Sequence, residues 1–364
     1  MTDDVKYMKR AISLAKKGAG WVNPNPMVGA VLVKDNRIIG EGFHGFFGGS
    51  HAEVNAIQDV ASKQAPGSTL YVTLEPCVHE GKTPPCANLI VEQKISRVVI
   101  AMADPNPIVS GKGIAYLQSH RIQVEVGLLE QQARQLNEVF IKYITTNRPF
   151  VVLKSAMTLD GKIATVTNAS RWITGEASRK LVHRLRQDLS AVMVGVNTVL
   201  FDDPLLNIRL KGTWKNPLKI ITDTHGRVPL KSNLLQKDPQ LTIVATTELA
   251  EPKKVKQIEQ LGAQVLICPL KDNRVDLGFV MHSLGSMGID SIMIEGGSTL
   301  AFSVLKEGLV DKIISFIAPK ILGGASAPTS VGGAGIEKMA DAINLSNMKT
   351  RKVGNDLMVE GWIL

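Results

Sequence analysis

The sequence predicts an α/β chain of two layered units, and two observations carry that expectation. Short β-branched runs alternate with stretches whose apolar residues recur at helical spacing. The alternation breaks near Thr145 to Pro149 and then begins again. At 364 residues the chain is also too long for one ordinary domain and suits two or three. We therefore expect one unit at 1–146 and a second at 147–364, with no internal repeat and no low-complexity tract in either.

The elements of the first unit follow from these periods. Lys6 to Lys17 has apolar residues at helical spacing, and Val28 to Lys34 is a short β-branched run. Ala52 to Ser62 is expected as a helix, Thr69 to Thr73 as a strand, Ala87 to Gln93 as a helix and Arg97 to Ala101 as a strand. In the second unit strands are expected at Phe150 to Ala156, Ala191 to Val196, Leu218 to Thr222, Leu241 to Thr246, Ala263 to Cys268, Ser291 to Ile294, Lys312 to Pro319 and Leu357 to Ile363. Helices are expected at Glu176 to Gln187, Pro252 to Leu261, Arg274 to Gly285 and Thr299 to Glu307. Gly323 to Gly335, rich in small residues, reads as a long loop able to close over a ligand.

Composition narrows the class. A hydrophobic content of 44% is ample for packed cores, and no apolar run approaches the ~18 residues that a membrane span needs. With three cysteines and no secretory signal at the N-terminus, a cytoplasmic protein is expected. Cys268, in the apolar stretch Gln264 to Pro269, is expected to be a core residue. The formal charge of +9 raises the possibility of nucleic acid, but no basic run with interleaved aromatics is present. Excess charge scattered through the second half suits small phosphorylated ligands, or simply a solvated basic surface.

The strongest chemical signal is His51-Ala52-Glu53, followed by Pro76-Cys77 and then Cys86. His51, Cys77 and Cys86 make three metal ligands, and a catalytic zinc uses three so that its fourth position can hold water. Zinc lowers the pKa of that water toward neutrality. Glu53 is not a ligand; it suits a proton shuttle to a ring nitrogen and a leaving amine. This is the His-x-Glu, Pro-Cys pattern of zinc deaminases, with one departure. Eight residues, Val78 to Pro85, separate the cysteines where the short form has two. Two ordinary thiols with a surface histidine, or a disulfide, are the bland alternatives; the ordered motif and the lack of a signal sequence weigh against them. Ser50 to Glu53 and Pro85-Cys86 both fall at expected helix starts, so helix dipoles would converge there.

Signals in the second half are more diffuse. Ser291 to Ile294 runs into Glu295-Gly296-Gly297-Ser298-Thr299, a strand-to-helix turn in which backbone N–H groups can meet a phosphate. Gly195-Val196-Asn197-Thr198 is a second such turn. Lys154, Ser170, Trp172, Thr174, Arg186, Asp202, Asp203 and Arg209 gather at strand ends and adjacent loops, where α/β enzymes place ligands.

Taken together, these motifs resemble the bifunctional riboflavin-biosynthesis deaminase-reductases over essentially the full chain. The resemblance rests on Asn23 to Ala30 (NPNPMVGA), Gly48 to Glu53 (GGSHAE), Thr73 to Cys77 (TLEPC), Gly81 to Cys86 (GKTPPC), Lys154 to Lys162 (KSAMTLDGK), Trp172-Ile173-Thr174, Asp202 to Leu206 (DDPLL), Glu295-Gly296-Gly297 and Ala318 to Gly323 (APKILG). The wide cysteine gap belongs to that family.

The resemblance implies a cytidine-deaminase-like three-layer α/β/α domain followed by a dihydrofolate-reductase-like α/β domain. It implies one zinc ion per chain and NADPH as cofactors, a phosphorylated aminopyrimidine as substrate, no nucleic acid or membrane partner, and a homo-oligomer. Two steps would follow one another: zinc-dependent removal of the 2-amino group from 2,5-diamino-6-ribosylamino-4(3H)-pyrimidinone 5′-phosphate, then reduction of ribosyl to ribityl. Carried over residue by residue, Asn25, His44 and Lys82 match substrate positions in the first half, Lys82 meeting the phosphate. Ser170, Arg186, Leu206, Arg209 and Glu295 match substrate positions in the second, and the planar donor forks of the two arginines suit a phosphate. Ala156, Trp172, Thr198, Asp202, Thr222, Gly297, Ser298 and Thr299 match NADPH positions, with Thr222 against Thr224 left open. Glu53 is the expected catalytic group of the first step, and Lys154 and Asp202 are candidates for assisting hydride transfer. The competing alternative is a nucleic-acid-editing zinc deaminase with a basic C-terminal binding module.

Overall fold

The computed structural model describes residues 3–60, 65–78, 84–107 and 109–364, and the chain divides into two compact units, Met1–Asn147 and Arg148–Leu364. The first unit contains α1 (Asp3–Ala15), β1 (Gly29–Lys34), β2 (Arg37–Phe43), α2 (Ala52–Gln58), β3 (Thr69–Val72), α3 (Cys86–Glu92), β4 (Arg97–Ile100), α4 (Lys112–Ser119), β5 (Gln123–Val126), α5 (Glu130–Leu136) and α6 (Glu138–Thr146). Its sheet has the order β2-β1-β3-β4-β5. The β1 pairs with β2 and β3 are antiparallel, and β3, β4 and β5 run parallel.

Glycines set how closely helices approach this sheet. A Cβ on Gly29 would lie 2.0 Å from the Ala11 carbonyl oxygen, so α1 packs directly on that face. Gly42 would meet the Ala52 carbonyl at 2.3 Å, which puts α2 on the other, because Ala30, the neighbour of Gly29, pairs with Gly42. Three layers result, and the close seat of α2 fixes its first turn, which carries His51 and Glu53. The core runs from Tyr7 and Met8 through Leu32, Leu70 and Ile100 to Ala133.

The second unit contains β6 (Phe150–Thr158), α7 (Glu176–Asp188), β7 (Ala191–Gly195), α8 (Val196–Asp202), β8 (Leu218–Thr222), α9 (Asn233–Gln236), β9 (Thr242–Thr246), α10 (Pro252–Gln260), β10 (Gln264–Ile267), β11 (Leu270–Lys271), β12 (Arg274–Val275), α11 (Leu277–Ser286), β13 (Ser291–Glu295), α12 (Ser298–Lys306), β14 (Lys312–Ala318), β15 (Leu345–Val353) and β16 (Asp356–Ile363). Nine strands form one sheet in the order β10-β9-β8-β7-β13-β6-β14-β16-β15. From β10 to β14 all neighbours are parallel, and β16 and β15 close the edge antiparallel. The parallel strands are buried on both faces, as at Ala191–Gly195 and Ser291–Glu295, which is why they read as unbroken apolar runs. No described helix is long and apolar enough to cross a membrane.

Several expected elements shift. The stretch expected as a helix from Arg274 begins as the short strand β12, and α11 starts only at Leu277, where the Asp276 carboxylate caps the Phe279 N–H. The end of the expected Ala52 to Ser62 helix falls partly outside the described residues. The sequence pattern marks neither strands β2, β5, β11 and β15 nor helices α4 to α6 and α9. Gly323 to Gly335 is a loop, tied back by a bridge between Lys162 and Thr329.

Because backbone atoms of α1 cannot move aside, Gly29→Ala should cost about 1–3 kcal/mol through overpacking. Urea unfolding of the full chain checks this; an unchanged midpoint would mean that α1 can retreat from the sheet at no cost.

Candidate functional site

The groups singled out in the first unit converge. His51 is the N-cap of α2, Cys86 is the first residue of α3, and Cys77 lies in the loop after β3. His51 Nδ1 is 3.2 Å from Cys86 Sγ and 3.5 Å from Cys77 Sγ, and all three donor atoms lie within 4.8 Å of one another. Tetrahedral zinc with ordinary Zn–N and Zn–S bonds needs N···S and S···S separations of about 3.6 and 3.8 Å. The cluster therefore fits zinc by donor type, number and spacing.

The electrostatics agree. A hydrogen bond from the Cys86 thiol, working against burial, and contacts from His51 hold the Cys77 thiol down at about 4. The same hydrogen bond, with burial, pushes Cys86 up, and the hydrogen bond with Cys77 raises His51. A thiolate, a thiol and an imidazole sharing protons are a set from which a metal displaces protons as it binds.

Glu53 is buried beside them, and burial together with the Cys77 charge pushes its carboxyl up to about 7. His44 donates from Nδ1 to the Ser50 carbonyl at 3.0 Å, leaving Nε2 to accept from Asn25 Nδ2 at 3.3 Å. Burial lowers its pKa, so the ring stands neutral, edge-on to His51 with centroids 5.6 Å apart. Lys82 lies outside the described residues.

Two residues not singled out in the sequence hold this arrangement. Glu75, 3% exposed, accepts N–H bonds from Asp104, Gly111, Gly113 and Ile114 at 2.8–3.2 Å, fixing the chain two residues before Cys77 to the start of α4. Asn137 bonds both the N–H and the carbonyl of Met27, fixing the segment that carries Asn25. Glu75 falls inside the quoted Thr73 to Cys77 segment without a role being read from it, and Asn137 lies in no motif; each acts through backbone distant in sequence.

In the second unit a cavity of about 1340 Å³ opens at the carboxyl ends of the parallel strands. Lys154 and Ala156 of β6, Thr198 and Asp202 of α8, and Ser170 line it. So do Gly297, Ser298 and Thr299 at the start of α12, and both Thr222 and Thr224. Gly296 and Gly297 have φ of +67° and +73°, and a Cβ on Gly296 would stand 3.3 Å from Thr198 Oγ1. Only glycine holds that turn without strain, and the bare backbone it leaves at a helix start suits a pyrophosphate. The wall thus fits a dinucleotide.

Arg186, Leu206, Arg209, Glu295 and Trp172 stand outside that wall. Glu295 is buried and paired on both sides: Arg186 Nε and Nη2 reach it at 2.6 and 3.0 Å, and Lys154 Nζ at 3.4 Å. Arg186 Nη1 donates to the Asn207 carbonyl at 3.0 Å. The planar fork expected to meet a phosphate is thus engaged within the protein. Arg209 is exposed, its Nη1 on Asn207 Oδ1 at 2.9 Å. Trp172 is exposed beneath the Arg179 guanidinium, 4.6 Å from its ring centroid. Ser170 donates to Asp202 at 3.2 Å, so those two do meet. Asp160, within the quoted Lys154 to Lys162 segment, accepts from the N–H groups of Leu322 and Gly323 and ties down the glycine-rich loop.

Comparison with known proteins decides the family. Residues 1–102 match the cytidine and deoxycytidylate deaminase zinc-binding region, and residues 149–359 match the RibD C-terminal domain. The riboflavin biosynthesis protein RibD of Actinobacillus pleuropneumoniae is 45% identical over 357 residues, 98% of this chain and 94% of that protein. The chain belongs to the RibD family. The solved RibD of Acinetobacter baumannii, at 38% identity, superposes with a TM-score of 0.90 over 100% of this chain and 99% of that one. A Thermotoga maritima structure described as a diaminohydroxyphosphoribosylaminopyrimidine deaminase/5-amino-6-(5-phosphoribosylamino)uracil reductase is 40% identical, with a TM-score of 0.86 over 100% of this chain and 99% of that chain. The expected fold pair, deaminase-like then reductase, is the one found. The editing-deaminase alternative loses its C-terminal binding module, since that half matches the RibD C-terminal domain.

Glu295 gives a pH-dependent consequence. Burial opposes its ionisation, but Arg186 and then Lys154 outweigh burial and lower the carboxyl from 4.5 to about 2. A carboxyl depressed in the folded state stabilises above its unfolded pKa and loses that contribution as pH falls through its folded value. Glu295→Gln, which strands the Arg186 charge, should cost about 3–5 kcal/mol at pH 7. The gap between variant and parent should narrow between pH 4.5 and about 2. Urea unfolding at pH 7 and pH 3 reads it; a gap independent of pH would mean that the pair contributes packing alone.

Proposed function

We propose that the first unit removes the 2-amino group of 2,5-diamino-6-ribosylamino-4(3H)-pyrimidinone 5′-phosphate and that the second reduces the resulting 5-amino-6-(5-phosphoribosylamino)uracil with NADPH. As a member of the RibD family, the chain is an enzyme of riboflavin biosynthesis with a deaminase and a reductase half. The division of labour falls near residue 147. The observation that carries the first step is the three-donor cluster with a buried carboxyl beside it. The expected setting is a cytoplasmic homo-oligomer acting on a phosphorylated pyrimidine without nucleic acid.

In the deaminase half His51, Cys77 and Cys86 would hold the zinc, which would supply an acidified water when bound. Glu53 does the proton work. A carboxyl titrating near neutrality can carry the two protons that the attacking water gives up, the first to a ring nitrogen as the C–O bond forms and the second to the departing amine. One C–O bond forms, one C–N bond breaks, and ammonia leaves. Asn25, its amide nitrogen held by the neutral His44, offers its carboxamide to the pyrimidine edge, and Lys82 takes the phosphate.

In the reductase half Ala156, Thr198, Thr222 and the Gly297-Ser298-Thr299 helix start would hold NADPH, which would supply the hydride, while Trp172 lies outside the cavity wall. Ser170 lines the same cavity, and Leu206, Arg209 and Glu295, which lie outside its wall, would serve the substrate. Arg186 acts there through Glu295 and the Asn207 carbonyl that it holds. Lys154 and Asp202 stand in the cavity wall as groups able to move a proton during reduction of the opened sugar.

Glu53→Gln should lower ammonia release from the diamino substrate by about 10²–10⁴-fold while zinc content stays at one per chain. NADPH oxidation on the pre-deaminated intermediate should be unaffected. Loss of both activities together would contradict separate sites, and unchanged ammonia release would remove Glu53 from the mechanism.

A further inference from the structure

The reductase reading, on which this inference rests, leaves one question: which group distinguishes NADPH from NADH at its 2′-phosphate. The sheet provides a ruler. From β6 through β13 and β7 to β8 the strands are neighbours, three spacings or roughly 14 Å. The cavity wall follows that row, from Lys154 on β6, past Gly296-Gly297 after β13 and Asn197-Thr198 after β7, to the turn following β8. A dinucleotide lying across strand ends has its pyrophosphate at the central glycine turn and its adenosine ribose at one end of the row. With Lys154 at the reacting end, the β8 turn is the ribose end.

We propose that Arg227, presented by that turn beside His225, receives the 2′-phosphate and makes the site select NADPH. Arg227 Nη2 donates to Asn197 Oδ1 at 3.0 Å, which pins the guanidinium against the first turn of α8. Its Nε lies 4.0 Å from Asp223 Oδ1, a buried oxygen with no hydrogen-bond partner among the described residues. The fork is therefore held from behind, and the side chain is exposed along the cavity.

The placement of acids points the same way. NAD sites hold the ribose hydroxyls with a carboxylate near a strand end, whereas NADP sites use an arginine there. The acid in this turn, Asp223, is fully buried and turned to the Val228 N–H at 2.7 Å. What the turn offers the cavity is Thr224, His225 and Arg227. Other cations in the wall lie on different elements: Lys271 is in close contact with Glu307 at 2.8 Å, Arg274, on the β11-β12 hairpin, reaches Ser303 Oγ at 3.4 Å, and Lys306 sits in the last turn of α12.

Binding separates the possibilities. The zinc-loaded full chain is titrated with NADPH and NADH by nicotinamide fluorescence, and with 2′,5′-ADP and 5′-AMP by calorimetry. Arg227→Ala should weaken NADPH and 2′,5′-ADP by about 10- to 100-fold, the size of a lost charge-assisted contact. NADH and 5′-AMP should change less than about twofold, Arg227→Lys should recover part of the loss, and Arg274→Ala should have little effect. Equal weakening of NADPH and NADH, no weakening of either, or a selective loss in Arg274→Ala instead overturns the assignment to Arg227. Failure of the parent chain to bind NADPH at all would overturn the reductase reading beneath it.

Discussion

An ionised carboxylate leaves water only when its oxygens find donors, and in each unit the reactive groups are placed by that requirement. Glu75 meets it with backbone N–H groups from Asp104, Gly111, Gly113 and Ile114, drawing the start of α4 against the chain that carries Cys77. Glu295 meets it with Arg186 and Lys154, joining β13, α7 and β6 around one buried charge. Each carboxylate makes a junction between elements distant in sequence. Remove the donors and the burial becomes a cost of several kcal/mol.

Glu53 is the informative contrast. It is as deeply buried as Glu75 and Glu295, but here burial, which opposes the ionised form, is reinforced by the charge on Cys77 and only partly offset by His51. Its pKa therefore rises instead of falling. A group left near neutrality can both accept and donate protons under ordinary conditions, which a fully paired carboxylate cannot do. Structural and reactive carboxyls in this chain differ in what they are buried against, not in how deeply.

This difference also explains what could be read from the sequence. His51, Cys77 and Cys86 were legible because metal donors are rare residue types and their order constrains the site. The strands Ala191–Gly195 and Ser291–Glu295 were legible because sheets covered on both faces must be apolar throughout. Strand β15 was not, since it is an edge exposed along most of its length and reads as polar loop. Strand β2 hides behind Gly40 and Gly42, residues that normally weaken a strand and here admit α2. Arg186 shows a different limit: its residue type suggested a phosphate, but the partner that occupies its fork lies 109 residues away. Only the parallel register that sets Glu295 beside Lys154 brings the three together. Arg227 carries no local mark at all, because its meaning comes from the strand order.

Strand order matters for the same reason in the cofactor site. A parallel sheet delivers every strand's carboxyl end to one edge, so turns far apart in sequence become consecutive stations along a groove. In this sheet β6, β13, β7 and β8 are neighbours although β13 comes last among them in the chain. The insertion of β13 between β6 and β7 puts the two positive-φ glycines midway along the row, with a lysine toward one end and an arginine at the other. A chain with the same turns but β13 at the sheet edge would present the glycines at the end of the groove, where they could not cradle the middle of a dinucleotide. The topology, more than any single residue, thus decides which part of the ligand each side chain can meet.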